Sequence, residues 1–236
     1  MSYKQARAVK DFFKSLILAS FFAFLFQTFF YQPFKIPSGS MRPTLLVGDY
    51  LFVRKFAYGY NNSSLAFGLG AFGLTEKSVV FSQKKRGDVI VFDITNSDKH
   101  YVKRIIGLPG DSIRMHKGEL YINGIKVLLK EVSPIKNSGS RVKTYLETLP
   151  NGVSYNIYKD ADAISTTMPN QTPEYFVPAD SIFCLGDNRD NSVDSRYLNE
   201  IGFIKEKKVL GKVEFLFWTK ALWKSLKTER VFTGIK

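Results

Sequence analysis

From Ser15 to Tyr31 the chain carries no charged residue: Ser15-Leu-Ile-Leu-Ala-Ser-Phe-Phe-Ala-Phe-Leu-Phe-Gln-Thr-Phe-Phe-Tyr31. A run this apolar must be buried in a core or in a bilayer, and about 17 residues is the short end of a spanning helix. Phe12 and Phe13 extend it towards 20, with Lys14 able to reach back to the interface. Lys4, Arg7, Lys10 and Lys14 precede it against Asp11 alone. A cleaved signal peptide has basic flank and apolar core in the same order. Here, however, the run is longer than the usual core and leads into Tyr31-Gln-Pro33 rather than an Ala-x-Ala-like exit. The reading is an uncleaved, single-pass anchor over 15–33. The basic residues 1–14 are then cytoplasmic and all that follows Pro33 lies on the far side.

The remainder of the 236 residues is enough for one domain with a sizeable core, or for one carrying an insertion. With 44% hydrophobic and 23% charged residues, a wholly disordered chain is excluded. The formal charge of +13 points to nucleic acid or anionic lipid. No helix-turn-helix, zinc-knuckle or RNP-like pattern accompanies it, so anionic membrane lipid is the expected partner and nucleic acid is not. One cysteine, Cys184, permits no internal disulfide, and with two histidines the chain lacks a conventional zinc set. No metal and no cofactor are expected, and Cys184 reads as a small buried hydrophobe.

Short β-branched or aromatic runs bounded by turns predict strands at 50–54, 88–92, 101–106, 120–122, 125–127 and 213–218. Asn123-Gly124 is a two-residue hairpin signal, and Pro109-Gly110 and Gly48-Asp49 are turns. A weak helical period occupies 219–226. The fold class is therefore mostly β: an antiparallel catalytic body in two parts, 34–127 and 177–236, behind one helix. Residues 128–176 are rich in Ser, Thr, Asn and Pro with weak strands, and read as an inserted β-rich subdomain. The Gly-rich apolar stretch 65–74 is either a surface loop or one that dips into the bilayer.

Three clusters carry chemistry. The first, Ile36-Pro-Ser-Gly-Ser-Met-Arg-Pro-Thr44, presents hydroxyls on a tight backbone close to the membrane exit. Read alone it is a linker before it is an active site, because a serine nucleophile needs a base. His100 and His116 come with no orienting carboxylate in triad order. Lysine is the other option, but its reference pKa of about 10.4 makes it a cation unless it is desolvated. Lys103 sits in Tyr101-Val-Lys-Arg-Ile-Ile106, where strand alternation puts it with Tyr101 and Ile105 and turns Arg104 away. Locally, a half-exposed strand lysine remains the simpler reading. The third cluster, Gly186-Asp-Asn-Arg-Asp-Asn-Ser-Val-Asp-Ser-Arg196, follows an apolar run and must satisfy its own polar groups if it is buried. Asp187, Asp190 and Asp194 would also suit calcium, but the spacing is not that of an EF-hand and two arginines would repel a cation.

Together these segments, with Arg-Gly-Asp-Val-Ile-Val-Phe (86–92) and Tyr-Val-Lys-Arg-Ile-Ile-Gly-Leu-Pro-Gly-Asp (101–111), resemble the boxes of bacterial type I signal peptidases, in family order behind an anchor. The resemblance implies a membrane-bound endopeptidase that removes signal peptides from exported preproteins. Its catalytic body would lie outside the bacterial cytoplasmic membrane, and the enzyme would act as a monomer. It makes Ser40 the nucleophile and Lys103 the general base, with the Ser38 hydroxyl and the Ser40 N–H as oxyanion donors. Ser192 would orient the amine, and the pairs Arg104–Asp187 and Asp194–Arg196 would hold the loop. Phe34, Ile36, Met41, Leu45, Leu51, Val91, Tyr101 and Val102 match positions lining two apolar pockets for small side chains at −1 and −3. Arg42, Tyr50 and Val102 depart from the family pattern, as does the absence of a cysteine pair in the insertion. Two other functions fit parts of the pattern: a self-cleaving repressor-type Ser/Lys protease, disfavoured because no DNA-binding domain precedes Ser40, and a non-enzymatic anchored β-scaffold.

Overall fold

The computed structural model describes residues 3–60, 79–94, 99–132, 142–163, 166, 168–219 and 230–235. The 65–74 stretch and the proposed helical segment beyond Thr219 lie outside the described residues.

Helix α1, Tyr3–Phe29, exposes apolar side chains all round, Phe12, Ile17 and Phe22 each by more than half. Such a surface suits lipid rather than water. Among the described residues it is the one helix long and apolar enough to cross a membrane. It ends sooner than the expected anchor. Tyr31–Lys35 form strand β1 and pair antiparallel with β2, Asp49–Arg54, placing Phe34 opposite Leu51. Pro33 explains the stop: it has no N–H for a helix and disfavours helical backbone before it, but it is tolerated on an edge strand.

Residues Gly59–Tyr60 (β3) and Val79–Val80 (β4) make a small ladder. The body is a seven-stranded antiparallel sheet in the order β1-β2-β16-β5-β6-β14-β15. Here β5 is Val89–Asp93, β6 His100–Gly107, β14 Ser181–Leu185, β15 Ile204–Lys205 and β16 Val209–Thr219. A second sheet joins β7 (Ser112–His116), β8 (Glu119–Ile122), β9 (Ile125–Lys126) and β13 (Tyr175–Phe176). Asn123 and Gly124 both adopt positive φ between β8 and β9, as a type I′ hairpin requires.

The insertion is more regular than its composition suggested. β10 (Leu128–Glu131), β11 (Val142–Thr148) and β12 (Ser154–Asp160) form a three-stranded sheet, and β11 and β12 run seven residues each. Alternation was present under the polar composition: Tyr155 and Ile157 point inward while Ser154 and Asn156 are exposed. Tyr155, Ile157 and Leu149 share one core with Ile122 of the second sheet and with Ile106, Phe183 and Leu185 of the main sheet. That core spans the expected boundary at 127/128. A separate core of Ile36, Met41, Leu45, Leu51, Val53, Val91 and neighbours lies under the 37–44 segment.

Candidate active site

β1 hands the chain to a turn-rich segment, residues 36–48, and β2 receives it. Ile36 N–H bonds Asp49 O and Gly48 N–H bonds Ile36 O, closing the segment at its base. Met41 and Leu45 are buried against that base, which leaves Ser38 and Ser40 on the outer rim. Across the sheet β6 presents Lys103, pinned by its pairing with Ile90. Lys103 Nζ lies 2.6 Å from Ser40 Oγ, and Ser38 Oγ lies 3.3 Å from Ser40 Oγ.

Lys103 is 4% exposed. Burial pushes its pKa from 10.5 down to about 8, Asp194 and Asp187 pull it back upward, and Arg196 lowers it. With a pKa of about 8 the amine is still mostly protonated at pH 7, but a usable fraction is neutral there, which a free lysine would not supply.

The 186–196 loop forms the back of the site through charges that neutralise one another. Arg104 grips Asp187 with two hydrogen bonds of 2.8 and 2.7 Å, bonds Gly87 O and stacks 3.7 Å from the Tyr155 ring centre. Asp194 takes two hydrogen bonds of 2.8 Å from Arg196 and one from Gly186 N–H. Burial raises the Asp194 pKa, but Arg196 and the Gly186 N–H outweigh it and hold the carboxyl below its usual value. All four of these Arg and Asp side chains are fully buried. Asp190, the remaining carboxylate of the calcium alternative, accepts from Asp160 N–H and Asn170.

Three features were not assigned roles in the sequence reading. Glu147 of β11 forms a buried, two-pronged ion pair with Arg189 and also accepts from Tyr155 OH. Asn188 ties the loop to the nucleophile segment: its N–H bonds Ser40 O at 2.9 Å and its amide bonds Gly39 O at 3.0 Å. Gly186 leaves no room for a side chain, since a Cβ there would stand 2.2 Å from Ser192 Oγ and 2.6 Å from Ser40 O. Glu147 and Arg189 are each common surface residues by type, and only the close Asn188 contacts carried a hint, from their place in the polar box.

Not every expected role is met. Ser192 is buried beside the site, but its hydroxyl has no hydrogen-bond partner among the described residues, so it does not hold the amine in this geometry. Phe34, Ile36, Met41, Tyr101 and Val102 line a cavity of about 420 Å³ together with Ser38, Ser40 and Lys103. Leu45, Leu51 and Val91 do not reach it; they are wholly buried in the core behind and shape the cleft from beneath. His100 and Lys99 line the same cavity, and His100 pairs with Asp93. A second cavity, about 720 Å³, shares Ser38, Ser40, Tyr101 and Lys103 with the first and is otherwise lined by Arg42, Tyr158, Asn188, Asn191 and Val193. Ser40 and Lys103 therefore border both cavities.

The sequence is similar to that of known proteins. The family described as signal peptidase, peptidase S26, matches residues 9–218. The signal peptidase I of Rickettsia typhi is 38% identical over 226 residues, 93% of this chain and 84% of that protein. That of Rickettsia prowazekii is 37% identical over 223 residues, 92% and 83% of the two chains. A crystal structure of a signal peptidase I from Enterococcus faecalis aligns at 28% identity over 56% of this chain and 97% of that one, with a TM-score of 0.33. The apolar helix α1 fits the membrane anchor that processing of exported proteins calls for. On the two sequence matches, each covering most of both chains, the chain belongs to the signal peptidase family, peptidase S26, and is an endopeptidase that removes signal peptides.

Proposed function

We propose that catalysis runs through a Ser40–Lys103 dyad, and that the cleft selects small side chains at −1 and −3. The observation that carries this reading is the 2.6 Å contact between a buried lysine amine and a serine hydroxyl at the centre of the cleft. The preprotein lies extended in the 420 Å³ cavity, with its −1 and −3 side chains against the apolar lining of Phe34, Ile36 and Val102. Neutral Lys103 accepts the Ser40 proton as Oγ bonds to the scissile carbonyl carbon. The carbonyl oxygen becomes an oxyanion facing the Ser38 hydroxyl and the Ser40 N–H. The Lys103 ammonium then gives its proton to the leaving amine, which departs as the new N-terminus. Water, deprotonated by Lys103, attacks the acyl ester and frees Ser40. No metal or cofactor enters any step.

Action as a monomer is part of the same proposal. The basic residues 1–14 support a cytoplasmic N-terminus, with the β body on the far face of the bacterial cytoplasmic membrane. The test is cleavage of a fluorogenic peptide bearing Ala-x-Ala before the cut, in detergent. Ser40→Ala and Lys103→Ala both abolish it under this reading; normal cleavage by either variant rules the dyad out.

A further inference from the structure

A second buried lysine lies far from the cleft, at the foot of α1. Lys55 opens the short turn after β2, and its N–H bonds Phe30 O at 3.0 Å. The neighbouring Tyr60 hydroxyl bonds Phe29 O, the last helical residue, and its ring meets Phe29 edge-on at 6.1 Å. The side chain of Lys55 is 1% exposed, and its amine has no hydrogen-bond partner among the described residues. A buried cation without a partner is costly. Burial pushes its pKa down only to about 8, so at pH 7 it is still mostly charged and calls for an anion.

Lys55 lines a cavity of about 60 Å³ with Tyr58, Tyr60, Lys84, Glu206 and Lys207. Three cations face a single carboxylate there, and Glu206 is already held by Lys84 at 2.9 Å. Tyr58 spends its hydroxyl on Asp88. The space suits one tetrahedral oxyanion and is too small for a nucleotide. We propose that Lys55, Lys84 and Lys207 form a phosphate site where α1 leaves the bilayer, and that its occupant is the phosphate of an anionic membrane lipid. The position argues for lipid: the site is stitched to the last two residues of the apolar helix, at the depth where headgroups lie. The lipid assignment rests on α1 being a membrane anchor; the phosphate chemistry does not.

The test uses the full chain in neutral detergent, titrated with short-chain phosphatidylglycerol, short-chain phosphatidylcholine or inorganic phosphate, with the thermal midpoint as readout. Wild type gains a saturable rise of about 5 °C with phosphatidylglycerol. Phosphatidylcholine gives no rise. The rise is lost in Lys55→Met and kept in Lys130→Met, whose exposed lysine controls for general surface charge. Lys207→Ser, at an exposed position, weakens the response and serves if Lys55→Met does not fold. An equal, Lys55-dependent rise with inorganic phosphate upholds the site and overturns lipid as its occupant. No rise with either anion, or the same rise in Lys55→Met, overturns the site. Retention of the chain in membranes washed with alkaline carbonate tests the anchor separately.

Discussion

Lys103 and Lys55 are both buried, and burial lowers both to a pKa of about 8. They differ in what surrounds the amine. Lys103 has a serine hydroxyl at 2.6 Å and opens onto a cleft of about 420 Å³; the Lys55 amine has no hydrogen-bond partner among the described residues and faces a pocket of about 60 Å³ crowded with other cations. Desolvation turns a lysine into a usable base, but only a hydroxyl within reach gives that base something to do. The Ser40 segment is brought to Lys103 by Asn188, which holds its carbonyls, and by Gly186, which lets the loop approach.

The largest test of this contrast is activity. Ser40→Ala or Lys103→Met is expected to lower kcat by at least about 10³-fold, as when one member of a catalytic unit is removed. Lys55→Met should leave peptide cleavage in detergent unchanged; comparable losses in both lysine variants would erase the distinction.

Next is the packing that buries Lys103. Removing the carboxylate in Glu147→Ala strands Arg189 in the interior and should cost about 3–5 kcal/mol of stability, measured by denaturant unfolding. A cost within the range of a surface substitution would mean that the insertion does not brace the loop.

Ser38→Ala probes the rim. Loss of one oxyanion donor should reduce kcat by about 10²-fold or more with KM little changed. A change confined to KM would instead place Ser38 in substrate binding.

The smallest effects are in pH. Activity should rise with a midpoint near pH 8 and level off as Lys103 becomes fully neutral; a rate still climbing steeply through pH 10 would exclude a desolvated base. The folded value lies below the ordinary 10.5, so between pH 8 and 10.5 the unfolded chain binds more protons and wild-type stability climbs with pH. Below that window the buried charge costs the fold about 3 kcal/mol, an amount Lys103→Met should recover at pH 7 and give up by pH 10.5. Lys55→Met should show the same sign over the same pH window.

Much of the site was legible because its parts are close in sequence or lie in dense boxes. Asp194 pairs with Arg196 two residues away, and strand alternation turned Arg104 from Lys103, while its pairing with Asp187 came from the family resemblance. Six strands were visible as apolar runs. What escaped were partners far along the chain. The 186–196 segment was read as having to satisfy its own polar groups, but that Glu147, 42 residues before Arg189, supplies that arginine's anion depends on how β11 packs. Ser192 was expected to orient the amine, yet its hydroxyl has no hydrogen-bond partner among the described residues, and Leu45, Leu51 and Val91 were given to the cleft when they lie under it. Distance to a surface is set by several strands at once, and no single stretch records it.

The two lysines show the division most sharply. Phe52-Val-Arg-Lys-Phe56 and Tyr101-Val-Lys-Arg-Ile105 are nearly the same kind of strand sequence: aromatic, β-branched, two cations, apolar. The sequence by itself determined the apolar helix, the strand pattern and the presence of a serine between prolines, because these follow from local chemistry and period. Only the tertiary structure decided which lysine meets that serine. Desolvation and hydrogen-bond reach depend on atoms from β5, β6, β14 and the 186–196 loop together, and those meet only when the sheet has closed.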